Sequence, residues 1–160
     1  MFRVLFVCTG NICRSPTAEG VFRHLVDARG LSREIDAESA GTGSWHVGDA
    51  PDPRSQQTAR ARGVEIGDQR ARAVHPDDFA TFDLILAMDN GHYRDLERAC
   101  PGGNTAKIRL FMDYAPEAGI ADVPDPYYGD GDGFERVFDM IETASKGLLA
   151  AIEAHHMPGR

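Results

Sequence analysis

Hydrophobic positions fall into short runs and helical stripes that alternate along the chain. Phe2 to Val7, "FRVLFV", is a β-branched and aromatic run that predicts a buried strand. Ala18, Val21, Phe22, Leu25 and Val26 then recur every three or four residues, predicting a helix from Pro16 to about Arg29. Ser15 and Pro16 read as its N-cap and first residue, and Gly30 as its stop. Ile35 to Ala40 predicts a second strand leading into the Gly/Ser loop "GTGSW". Pro53 to Arg62 reads as a helix stopped by Gly63, Ala71 to Val74 as a short strand, and the segment from Pro76 as a helical turn. Phe82 to Met88 is another buried strand, Asn90 to Cys100 a helix ended by "PGG", and Ile108 to Met112 the centre of a further strand. After a long Pro/Gly/Asp loop, Phe134, Val137, Phe138, Ile141, Leu148, Leu149 and Ile152 fall on one face of a final helix, with Asp132 as its N-cap and Glu135 in its first turn.

Strands alternating with helices predict an α/β fold: one domain over residues 1–160, a doubly wound parallel sheet of about four strands in three layers, with helices on both faces. The 160 residues suit one domain with a core that needs no disulfide staples. In such sheets ligands bind beyond the C-terminal strand ends, which is where Cys8 falls.

Charge and cysteine content narrow the function classes. The net charge of −8 opposes polyanion binding, so nucleic acid is not an expected partner, although a local positive site can still take a small anion. No stretch is apolar and long enough to predict a membrane span or a signal peptide. Three cysteines, Cys8, Cys13 and Cys100, do not form a secreted disulfide framework. The expectation is a cytoplasmic protein, with export independent of a signal peptide left open, and a monomer capable of weak self-association.

The candidate chemistry lies in the loop Cys8-Thr9-Gly10-Asn11-Ile12-Cys13-Arg14. A strand, tight loop and helix in succession aim backbone N–H groups at an anion. Gly10 and Asn11 tolerate the positive φ that such a nest needs. Arg14 offers a planar fork of donors suited to phosphate oxygens. The same positive surroundings favour Cys8 as a thiolate, a nucleophile placed under a bound phosphate. Ser15 follows as a donor to that sulfur. Cys8 and Cys13 also have a C-x4-C spacing compatible with zinc, but the remaining ligands are lacking and Arg14 would oppose a cation, so no metal and no cofactor is expected.

The stretch "VCTGNICRSPTAE" resembles the signature of the low-molecular-weight protein tyrosine phosphatase family. The resemblance extends through "SAGTGSW", "PDPR", "FDLILAMDN" and "VPDPYYG", nearly the whole chain. It implies Cys8 as nucleophile, Arg14 with Thr9, Gly10, Asn11, Ile12, Cys13 and Ser15 around the phosphate, and Asp125 as general acid and then base. It also implies that Asp89 orients Arg14. The residues alone do not choose Asp125 over Asp122, Asp130 or Asp132. Asp130, Asp132 and Gly133 partly match a calcium loop, but Tyr128 and Asp139 stand where its first and last ligands belong, and calcium is rejected. Trp45, Tyr127 and Tyr128 resemble the aromatic walls of a cleft for an aryl phosphate.

The expected partner is therefore a phosphotyrosine-containing protein or peptide. The sequence departs from the family where histidines often support the phosphate loop: Gln69 and, roughly, Arg62 stand there instead. Arginine-phosphate phosphatases are a rival reading, but they tend to carry Thr where this chain has Ile12. Arsenate reduction lacks its downstream cysteine pair, and a non-catalytic anion-binding module leaves Cys8, Arg14 and Asp125 together unexplained. Cys13 is either a redox partner for Cys8 or a small buried residue.

Overall fold

Strand β1, Phe2–Cys8, is buried from Val4 onward on both faces, and its alternation divides the core in two. Val4, Phe6 and Cys8 face a cluster with Phe22, Val26, Phe138 and Ile141, while Leu5 and Val7 face one with Ile85, Ala87, Leu96 and Ile108. Phe6 makes edge-on contacts to Phe22 and Phe111, with ring centroids 5.7 and 5.2 Å away. A computed structural model describes residues 1–103, 105–128 and 132–157, with the side chain of Tyr128 outside that description.

The other strands are β2, Ile35–Gly41, β3, Leu84–Ala87, and β4, Ile108–Leu110. All pair in parallel in the order β2-β1-β3-β4. Helices α1, Arg14–Ala28, and α5, Gly133–His156, cover one face; α4, Asn90–Ala99, packs against β3 and β4 on the other. Helix α2, Pro53–Ala61, lies against α5, and the short α3, Asp78–Thr81, precedes β3. The chain leaves β1 for β2 on one side and returns to β3 on the other. The crevice of a doubly wound sheet opens at such a reversal, here beyond Cys8.

Three expectations are corrected and one, the N-cap of α5, holds in position only. Helix α1 begins at Arg14, so Ser15 is not its N-cap; Cys13 holds that position without a side-chain cap, and the Ser15 hydroxyl is turned toward Cys8 instead. Asp132 does occupy the N-cap position of α5, but its side chain bonds no helix amide. The predicted strand through Met112 ends at Leu110, and Phe111–Tyr114 forms a 3-10 turn. A strand would send Phe111 and Met112 to opposite faces, whereas both are buried in the cluster beneath α1 and α5. Ala71 to Val74 forms no full strand: it makes one bridge, Gly41 to Ala73, at the outer edge of β2.

Gly147 lets α5 approach the 3-10 turn closely, because a Cβ there would lie 1.9 Å from the Tyr114 carbonyl oxygen. Gly147→Ala must separate two backbones, and it is expected to destabilise the protein by about 3 kcal/mol despite alanine's better helix propensity. Urea unfolding of the variant checks this; an unchanged midpoint would refute the close approach.

Candidate active site

The end of β1 and the start of α1 hold the loop between them, and one residue fixes its shape. Asn11 has φ of 59°, the one positive value outside glycine among the described residues. Gly10, expected to share that role, is not in the left-handed region. The cost of this conformation is offset by three bonds to the buried Asn11 amide. Its Nδ2 donates to Ser15 Oγ at 2.8 Å and Ser39 Oγ at 2.9 Å, and its Oδ1 accepts from the Arg72 amide at 3.0 Å.

Ser15 Oγ lies 2.9 Å from Cys8 Sγ. Asn11 already donates to that oxygen, so the hydroxyl proton has two acceptors in reach, the sulfur at 2.9 Å and the Ala40 carbonyl at 3.5 Å, and the shorter contact is the one that suits a thiolate. Gln69 takes up part of the work of the histidine it replaces: its Oε1 lies 3.4 Å from Ser39 Oγ and its Nε2 donates to the Pro16 carbonyl at 2.9 Å. Arg62 plays no such part, since it pairs with Glu135 and Asp139 and stacks on Phe138.

Arg14 is buried, and its contacts come from two distant parts of the chain, the start of α4 and the loop from Val123 to Asp125. Nη1 donates to Asp89 Oδ2 at 2.9 Å and to the Val123 carbonyl at 3.0 Å, and Nη2 lies 3.6 Å from Asp125 Oδ2. Asp89 is the N-cap of α4, accepting from the His92 amide at 2.9 Å. Burial favours the neutral form of Asp89, but the His92 amide and ring and the Arg14 guanidinium outweigh it and hold the carboxyl below its ordinary value.

Cys8, Thr9, Gly10, Ile12, Cys13, Arg14, Trp45, Asp125 and Tyr127 line a single cavity of about 260 Å³. Asn11 and Ser15 lie beneath it, and Asp89 lies behind Arg14. Of the four candidate acids, Asp125 is at the cavity and Asp122 instead caps α4 by accepting from the Asn90 amide at 2.9 Å. Asp132 starts α5, while Asp130 lies outside the described residues, as does the side chain of Tyr128. Asp125 Oδ1 accepts from the Tyr127 amide at 3.0 Å, which fixes the turn that presents both side chains. Trp45 folds over Gly43 so closely that a Cβ there would meet the indole at 2.1 Å.

Cys13 is buried, and burial above all pushes its thiol up to about 12; nearby Asp52, Cys8 and Asp125 add to this against a hydrogen bond from Ser55. It is therefore a protonated thiol at neutral pH. No group of three or more His, Cys, Asp or Glu side chains among the described residues is arranged to hold a metal ion. No helix among them is long and apolar enough to cross a membrane.

Several residues of the site were missed in the sequence. His46 lines the cavity beside Trp45. Arg54 grips the N-cap carboxylate of Asp52 and lies 5.2 Å from the centre of the Tyr127 ring. His92, fully inside, reaches Thr9 Oγ1 with its Nε2 at 2.7 Å. The signal for His92 was available in its spacing: a residue three beyond an Asp N-cap sits over the helix start. Ser39 was marked by being a small polar residue in step with Ile35 and Ala37, on the face of β2 that enters the core.

Burial and the Arg14 charge lower the His92 pKa below its ordinary 6.5, against the opposing pull of Asp89, Asp95 and Asp125. The folded protein thus favours the neutral ring. That contribution to stability is present above 6.5 and is lost as pH falls through the lower folded value. His92→Asn has no such titration, so the stability gap between the two proteins is expected to narrow from about pH 7 to about pH 5. Urea titrations across that window check it; a gap that stays constant would refute it.

Comparison with known proteins agrees with this geometry. The family model described as low molecular weight phosphotyrosine protein phosphatase matches residues 3–157. A low molecular weight protein-tyrosine-phosphatase of Streptomyces coelicolor is 49% identical over 94% of this chain and 93% of its own length. The crystal structure of a protein tyrosine phosphatase from Entamoeba histolytica superposes with a TM-score of 0.93 at 39% identity, covering 98% of this chain and 99% of that one. A Drosophila arginine phosphatase structure is also similar, with a TM-score of 0.87 at 34% identity over 95% of this chain and 98% of that one. On the strength of the match across nearly its whole length, the chain belongs to the low molecular weight protein-tyrosine-phosphatase family.

Proposed function

We propose that this protein hydrolyses phosphotyrosine in proteins or peptides through a cysteinyl-phosphate intermediate. The observation that carries the reading is the convergence of Cys8, Arg14 and Asp125 on one cavity, with Ser15 aimed at the sulfur. Phosphate sits in the loop, held by its amides, the first turn of α1 and Arg14. The Cys8 thiolate attacks phosphorus and the P–O bond to the ring breaks. Asp125 gives its proton to the departing phenolate oxygen. A water then attacks the phosphocysteine, passing a proton to Asp125, and the S–P bond breaks to release inorganic phosphate and the thiolate, which Ser15 stabilises as it forms.

Asp125 is suited to this exchange because it faces the cavity from a partly exposed loop, near enough to Arg14 to be oriented and free to meet water. Ile12 at the loop and Trp45 and Tyr127 at the rim favour a flat aromatic ring over the guanidinium of phosphoarginine. Cys13 lines the same cavity wall, but burial keeps its thiol protonated, which favours a small buried residue over a redox partner that must attack an oxidised Cys8 as a thiolate.

Cys8→Ser is expected to abolish turnover of p-nitrophenyl phosphate, and Asp125→Ala to lower its kcat by about 10²–10⁴. Full turnover in the first would end the covalent mechanism; unchanged kcat in the second would move the acid elsewhere. Among matched peptides, phosphotyrosine is expected to exceed phosphoserine and phosphoarginine in kcat/KM. A preference for phosphoarginine would replace the proposed substrate.

A further inference from the structure

A second groove of about 610 Å³ adjoins the catalytic cavity and shares Thr9 and Trp45 with it. It runs between the loop that carries Trp45, the segment from Val74 to Phe79, and α4. Val74, Phe79, Leu96 and Ala99 make its surface largely apolar. Leu96 is buried at its base and Ala99 is exposed at the last turn of α4. Apart from Thr9 and Trp45, none of this surface is used by the phosphate chemistry.

We propose that this groove is a subsite for an apolar side chain of the substrate, one or two residues from the phosphotyrosine. The inference rests on the phosphotyrosine reading of the neighbouring cavity. The two cavities are continuous: a ring seated against Trp45 leaves its peptide at the shared wall, and an extended chain advances only about 3.3–3.6 Å per residue. The next side chains therefore pass over the groove rather than into bulk solvent.

Charge decides what kind of side chain fits. No lysine or arginine lines the groove among the described residues, while Asp95 does. Arg98, on the same helix, is already paired with Asp95. An acidic flanking residue would meet no available cation there and would approach a protein of net charge −8. An aliphatic or aromatic one would exchange water for the groove's apolar wall. His75, at the rim, is exposed and 3.5 Å from Asp77.

The test compares p-nitrophenyl phosphate with phosphotyrosine peptides that carry Leu, Phe, Gly or Asp at each of the two positions on either side. Wild-type protein is expected to give Leu or Phe at one of these positions a kcat/KM roughly tenfold above Gly, with Asp lowest. Ala99→Arg, an exposed change to a good helix former, fills the groove. It is expected to erase that preference and leave kcat and KM for p-nitrophenyl phosphate unchanged. Peptides turned over alike whatever their flanks, or a preference that survives Ala99→Arg, would overturn the subsite and leave the phosphatase reading standing. A variant that loses p-nitrophenyl phosphate and peptide activity in equal measure would also overturn it, because the effect would not be local. Wild-type protein that hydrolyses neither class of substrate would overturn the phosphatase reading, and the subsite with it.

Discussion

A buried guanidinium organises this molecule. Arg14 lies under the loop, and a positive charge at that depth is tolerable only where its donors find acceptors. Those acceptors are Asp89, at the start of α4, and the Val123 carbonyl, in the loop before Asp125. Val123 is itself buried and its amide donates to the Met88 carbonyl at 2.8 Å, continuing the line of β3. The ion pair thus joins three segments far apart in sequence: the first loop, the end of the central sheet and the segment carrying the candidate acid. Chemistry and architecture depend on one contact set.

The loop is held from below by a second, uncharged network. Asn11 is strained alone and is satisfied only with Ser15, Ser39 and the Arg72 amide in place. Such a network is worth most when complete, because each member left without a partner is a buried polar group. Gln69 closes it on the far side through Ser39 and the Pro16 carbonyl, joining the loop to the start of α1. An amide can both donate and accept without changing charge, so this support does not titrate near neutral pH as a histidine would. The departure from the family pattern alters the character of the support more than its geometry.

His92 ties the ion pair to the loop. Its amide reaches Asp89 and its ring reaches Thr9, the residue after Cys8. A helix cap, an ion pair and the wall of the cavity are therefore coupled at one residue. The same helix continues into Leu96 and Ala99, so α4 borders the second groove directly and meets the first cavity through the His92–Thr9 contact.

Local pattern determined the alternation of strands and helices, because burial on both faces of β1 and the apolar stripe of α5 are properties of neighbouring residues. The strand-loop-helix from Cys8 to Arg14 announced anion chemistry for the same reason: thiol, turn residues and guanidinium are contiguous. Where the sequence reading failed, the deciding contact was distant. Ser15 suited an N-cap locally, yet its hydroxyl is drawn to Cys8 and Asn11; Phe111 and Met112 suited a strand, yet the core beneath α1 and α5 takes both. Sequence likeness could nominate Asp125 among similar carboxylates, but only the fold shows Asp122 spent on capping α4 and Asp125 facing the cavity. Chemistry written in adjacent residues was legible from the chain alone. The choice among equivalent groups belonged to the tertiary structure, because burial and pairing are set by residues many positions away.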